Sequence, residues 1–283
     1  MFDVQFVDKG YSSNNKSLYE LSILVSQDGF SFLFYHPNTK NVALFKHKDF
    51  YAPTYDDLLS EVRKILISDR LLAEQYPKVK VAYRTTTQTI VPDEFVQDEH
   101  LKQFLVLQHP LHELDEIHYQ SLPGNNAKAV FALPNYLANE MLEMHPNTTF
   151  YHQSIPLIHL AKEKAAQNKG NLILVNKSNR FFDVVLIRDN KLQLYNTFQF
   201  HTENDFVYFV MSVYKQLNLE KEKMHFFVSG LIRPEDEEYQ LLERFVGKVS
   251  FDILPKDIAN IKALKSKTMP SMFASLFGLT LCE

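Results

Sequence analysis

Residues 18–26, LYELSILVS, form an apolar, β-branched run that predicts a strand. Asp28-Gly29 follows, the strongest two-residue hairpin signal, and residues 30–35 predict the returning strand. A Pro37-Asn38 turn leads to a third strand at 42–45, and Pro53-Thr54 then opens a helix. Thr54 is its candidate cap, and Asp57 stands three residues on, where it can reach back as in a capping box. Leu58, Leu59, Val62, Ile65 and Leu66 fall on one helical face. A fourth strand is predicted at 79–84.

The same order returns in the second half. Strands are predicted at 171–176, 181–188 and 191–200, the last two joined by an Asp189-Asn190 turn. Thr202 caps a helix, again with an aspartate, Asp205, three residues later. Phe206, Phe209, Val210, Val213 and Leu217 give its apolar face, and residues 225–229 predict the fourth strand, ending at Gly230. Two TxxD helix starts, each after a three-strand meander, point to an internal duplication; two unrelated α/β domains are the alternative.

Between the repeats the pattern predicts a helical stretch at 92–108, an irregular polar segment, a strand at 128–133, a helix at 135–144, a strand at 148–152 and a helix at 156–167 stopped by Gly170. After the second repeat come a helix opening at Pro234, a strand at 249–254 and a short helix at 257–264. The expected domains are 1–169, with an insertion around 85–150, and 170–268. Residues 269–283 are read as an apolar C-terminal helix packing back on the body.

Composition narrows the chemistry. Of 283 residues only 7 are glycine, where average usage of about 7% gives about 20, and no two lie within 14 residues of each other. That excludes GxGxxG, the Walker A loop and the kinase glycine loop. The net charge of -4 and pI near 6.3 stand far from the basic balance, pI above about 9, of a nucleic-acid-binding domain. One cysteine, Cys282, forms no internal disulfide and no cysteine-based zinc site. The N-terminus lacks a signal-peptide pattern, and no window of about 18 apolar residues exists to insert in a membrane. The expectation is a soluble cytoplasmic protein.

Tandem β-β-β-α-β-α domains of ribonuclease-H-like topology resemble the actin-like ATPase superfamily of sugar kinases, heat-shock ATPases and actin. The chain is similar to an uncharacterised bacterial family with a degenerate version of that fold. In active members each domain has an aspartate at the end of its first strand and a glycine-rich hairpin that grips ATP phosphates. Bare backbone N–H groups make an anion nest there. In this chain Ser26 stands near the first acid's place before Gln27-Asp28-Gly29, and Asn176 stands in the second's before Lys177-Ser178-Asn179. The family's late glycine pair is reduced to Ser229-Gly230. The resemblance therefore implies at most a vestigial nucleotide site of Asp28, Gly29, Asn176, Lys177, Ser178, Ser229 and Gly230 in the interdomain cleft. Lys177 offers a charge to an anion, and Ser178 and Ser229 offer hydroxyls. Asp28 reads as ordinary turn chemistry rather than as a displaced metal ligand.

Other constellations read blandly. His109, His112 and His118, with Glu113, Asp115 and Glu116, are a solvated polar loop before they are a metal site, because Pro110 breaks any single helical face. Asp183, inside FFDVVL, reads as a strand face turned to water rather than as a buried acid with a partner. Glu235-Asp236-Glu237-Glu238 reads as a first helical turn, and Lys262, Lys265 and Lys267 as a solvated face. No GxSxG is present. The functional expectation is a non-hydrolysing binding or scaffold module with a protein partner and no cofactor, its oligomeric state left open. The alternative is an ATP-dependent phosphotransferase or ATPase that uses ATP and magnesium in the cleft. A third reading is a small-molecule sensor without nucleotide.

Overall fold

The computed structural model describes residues 3–12, 14–122 and 124–283, with the Lys267 side chain outside that description. In chain order the elements are β1 (Val4–Val7), β2 (Glu20–Ser26), β3 (Gly29–His36), β4 (Asn41–Asp49), α1 (Tyr55–Ser68), β5 (Val79–Tyr83), β6 (Gln88–Pro92), α2 (Leu101–Val106), β7 (Asp115–Ser121), β8 (Ala127–Pro134), α3 (Asn135–Met144), β9 (Thr148–His152) and α4 (Ser154–Gln167). They continue as β10 (Leu172–Lys177), β11 (Phe181–Arg188), β12 (Lys191–Gln199), α5 (Glu203–Gln216), β13 (His225–Gly230), α6 (Glu237–Val246), β14 (Val249–Ser250), α7 (Ile261–Lys267) and α8 (Ala274–Gly278). Two compact units result. One is Met1–Ile155 with Lys256–Thr268 and Glu283; the other is Pro156–Pro255 with Met269–Cys282.

The first unit holds a sheet in the order β1-β4-β3-β2-β5-β9 and a small antiparallel sheet, β6-β8-β7. Phe30, Phe32 and Phe34 alternate along β3, so all three rings lie on one face. Their centroids stand 6.4 and 5.7 Å apart, in one core with Leu58, Val62, Ile65 and Leu66 of α1. The second unit holds a sheet in the order β12-β11-β10-β13-β14. With β1 set aside, both sheets run third, second, first, fourth, fifth, with the first three strands antiparallel and the last two parallel to the first. Each third strand also carries a bulge at the same place. The register skips Ala43 between Phe34 and Tyr35, and Gln193 between Leu186 and Ile187.

Both predicted caps form. Thr202 and Asp205 make a full capping box. Thr54 accepts from the Asp57 amide at 3.2 Å, but its hydroxyl donates to the Asp57 carboxylate at 2.6 Å, so the acid does not reach the Thr54 amide. Buried Tyr214 completes the apolar face of α5, while Leu217 lies past the helix end and is exposed.

The helical stretch expected at 92–108 is two 3-10 turns and the short α2, and the strand expected at 249–254 is only Val249–Ser250. Four further expectations change. Residues 115–121, read as irregular, pair with β8 as β7; their polar composition hid a strand held by backbone bonds. β1 and β6 were not anticipated. The helix expected at 257–264 begins at Ile261, because tertiary bonds hold the residues before it: the Ala259 amide donates to the Lys40 carbonyl at 2.9 Å, and the Asn260 side chain bonds both backbone groups of Val42. Residues 270–281 are not one helix but a 3-10 turn, α8 and a second 3-10 turn. A Cβ on Gly278 would stand 2.8 Å from the Pro156 carbonyl, so a bare backbone fits there.

His145, at the C-terminal end of α3, is fully buried, and neither ring nitrogen meets a full hydrogen-bond partner. Burial pushes its pKa below the usual 6.5, with the Leu72 backbone offsetting part of that. Below about pH 6.5 the unfolded chain binds a proton that the folded chain refuses, so stability falls as pH falls. Denaturation midpoints between pH 8 and pH 5 are expected to drop less in His145→Gln than in the parent.

Candidate functional site

At the C-terminal end of β10 and β13 the register sets Asn176 beside Ser229 and Lys177 beside Gly230. Gly230 has φ +82°, and a Cβ there would stand 1.9 Å from the Lys177 carbonyl oxygen. The Leu231 amide donates to that same carbonyl at 2.8 Å. Ser178 closes the β10–β11 turn: its amide and its hydroxyl both donate to the Phe181 carbonyl, each at 2.8 Å. The Lys177 ammonium pairs with buried Glu238 at 3.0 Å, donates to the Leu231 carbonyl at 3.2 Å, and stands 5.3 Å from the Phe200 ring centroid and 5.9 Å from that of Phe206. The charge read as available to an anion is thus held by an acid from the first turn of α6.

Asp183 is not turned to water. It is 2% exposed and accepts from the Tyr195 hydroxyl at 2.8 Å, the Thr197 hydroxyl at 2.9 Å and the Asn176 amide at 3.0 Å. Ser229 in turn donates to the Asn176 side-chain oxygen at 2.9 Å. Ser229, Asn176, Asp183 and Thr197 are register partners, so one polar row crosses β13, β10, β11 and β12. The water-facing reading fails because residues 182–187 are all buried, so neither face of β11 meets solvent there. An unbroken apolar run without alternation is the signal of such a strand, and an acid within it must find partners. Charge-assisted bonds in a low dielectric make the row stiff.

In the first unit, Ser26 closes the Asp28-Gly29 hairpin. Its hydroxyl donates to the Gly29 carbonyl and accepts from the Asp28 amide, both at 3.2 Å. A Cβ on Gly29 would stand 2.8 Å from the Lys48 carbonyl. The Gln27 and Asp28 carbonyls accept from the Ala52 and Phe50 amides. The Asp28 carboxylate is partly exposed and makes no hydrogen bond or ion pair with the described residues.

The three histidines part company. His109 bonds the Gln88 carbonyl at 3.1 Å, the His112 ring stands 4.5 Å from that of Tyr55, and His118 pairs with Glu116 at 3.1 Å. Beside His112, burial and then the Asp115 carboxylate push the Tyr55 hydroxyl up to about 12. Among the described residues no three His, Cys, Asp or Glu side chains are grouped to hold a metal. Lys262 and Lys265 are exposed on α7, and the Lys267 side chain lies outside the described residues. No described helix is long and apolar enough to cross a membrane.

A crystal structure from Bacteroides thetaiotaomicron VPI-5482, a protein with actin-like ATPase fold and unknown function, is similar over 97% of this chain and 100% of its own, with TM-score 0.81 and 23% identity. A PilM-PilN type IV pilus biogenesis complex is similar over 94% of this chain and 98% of its own, with TM-score 0.54 and 12% identity. The ethanolamine utilization protein EutJ from Carboxydothermus hydrogenoformans is similar over 94% and 90%, with TM-score 0.51 and 10% identity. No curated protein matches. A family model described as "Protein of unknown function (DUF3822)" matches residues 8–249. The two units therefore have the actin-like ATPase fold expected above.

Proposed function

We propose that this chain, which belongs to the DUF3822 family, is a binding or scaffold module for a protein partner and does not hydrolyse ATP. The engagement of Lys177 with Glu238 carries the reading. Phosphoryl transfer rests on positioning and on neutralising charge by metal and by backbone donors. Lys177, the cation read as able to meet a phosphate, is neutralised inside the fold. Asn176 and Ser229 are bonded into the row around Asp183, and Ser178 into its own turn. The likeness to a complex of PilM with PilN supports a protein partner. The matching strand orders and matching bulges support tandem ribonuclease-H-like domains born of an internal duplication.

Phosphate release with ATP and magnesium is expected to stay at the buffer rate. Any ATP binding seen by calorimetry is expected at millimolar or weaker, about 4 kcal/mol. Turnover abolished by Asp28→Ala would instead establish an ATPase or phosphotransferase, since Asp28 is the acid of these turns left unengaged. Native purification of the tagged chain is expected to bring a stoichiometric protein, and purification alone in every growth condition would count against the scaffold.

A further inference from the structure

The two sheets differ at one edge. In the first unit the third strand, β4, is covered by β1, which pairs antiparallel with Leu44–His47 directly beyond the Ala43 bulge. In the second unit the same position beyond the Gln193 bulge is Leu194–Thr197 of β12, and among the described residues no strand pairs with it. Residues 192–199 carry no charge and no proline, the usual protections of a free edge. The Thr197 amide is met by the neighbouring Asn196 side chain at 3.0 Å, so it points away from β11. Beside this edge lies an aromatic ledge: half-buried Phe198 stacks on Phe182 at 5.2 Å and on Phe209 at 5.9 Å, and Phe209 touches Tyr208, which is 68% exposed.

The stretch 194–198, Leu-Tyr-Asn-Thr-Phe, is symmetric in its chemistry about Asn196: apolar, hydroxyl, amide, hydroxyl, apolar. We propose that β12 pairs antiparallel with β12 of a second copy, about a two-fold axis at Asn196. Leu194 then faces Phe198 of the other copy, and Tyr195 faces Thr197. The two Asn196 amides meet on the axis, where one side-chain oxygen accepts from the other's N–H. The outward amide of Thr197 exchanges its bond to Asn196 for one to the Tyr195 carbonyl across the interface. The self-complementary interface is the kind a two-fold dimer requires, and no like charges meet.

Sedimentation of the full chain at micromolar concentration is expected to give twice the chain mass of 33.1 kDa. Asn196 is exposed, so Asn196→Lys and Asn196→Asp leave the fold intact. Each sets like charges on the axis and is expected to weaken dimerisation by about a hundredfold. An equimolar mixture of the two variants sets lysine against aspartate and is expected to dimerise again. A monomeric parent overturns the proposal, including the case where β12 instead takes an extended segment of another protein. A dimer that persists in both variants, or a mixture that stays monomeric, overturns it as well.

Discussion

Gly230→Ala is expected to lose roughly 4 kcal/mol or more of the second unit's stability, several-fold more than an ordinary glycine substitution. Two effects add. An L side chain at φ +82° costs about 1–2 kcal/mol by itself. The added methyl also stands 1.9 Å from the Lys177 carbonyl oxygen, and that atom is backbone, paired in the β10–β13 ladder and accepting from Leu231. No rotamer change relieves the overlap, so the two strands must part. Gly247 is the control. Its φ is +84°, yet nothing lies within 4 Å of its would-be Cβ. Gly247→Ala therefore reports the conformational cost alone, about 1–3 kcal/mol. Urea denaturation of both variants separates the terms. Equal losses at the two glycines would show that the overlap at Gly230 relaxes freely.

The repeated β-β-β-α-β order was legible because each element is signalled locally. Asp28-Gly29 and Asp189-Asn190 mark hairpins, and Thr54 and Thr202 mark caps. The small sheet was only partly legible, since DEIHYQS has no apolar alternation and is held by backbone bonds to β8. The start of α7 depends on Asn260 reaching Val42, 218 residues away, and no local pattern encodes that. The same division runs through the candidate site. Pairing of parallel β10 and β13 brings Asn176, Lys177, Ser229 and Gly230 together, and a strand-helix-strand reading contains that pairing. The partners that decide their chemistry lie elsewhere. Glu238 is 61 residues beyond Lys177 and reads locally as a first-turn acid, yet its burial makes it a counter-ion. A lone acid such as Asp183 in a strand suggests a wet face, whereas FFDVVLIR without alternation means two dry ones.

Asp183→Ala is expected to cost roughly 3–5 kcal/mol, because it leaves the Tyr195 and Thr197 hydroxyls and the Asn176 amide without their acceptor in the interior. Asp183→Asn tests whether the row behaves as a connected chain. The new amide keeps one oxygen for Tyr195 and Thr197 but turns an NH2 toward the NH2 of Asn176. Rotation of the Asn176 amide repairs this by presenting its oxygen to residue 183 and its NH2 to Ser229, whose hydroxyl then accepts. The loss is therefore expected to be only about 1 kcal/mol, close to that of an exchanged neutral hydrogen bond. The repair depends on Ser229. In Asp183→Asn with Ser229→Ala, the rotated Asn176 has no acceptor for its NH2, and an orphaned buried N–H costs more than an orphaned carbonyl. The double variant is expected to lose more than the sum of the single losses, by about 1 kcal/mol in a double-mutant cycle. Additive losses would mean that the two ends of the row do not communicate. Asp183→Ala within about 1 kcal/mol of the parent would show that these bonds contribute little to holding the four strands.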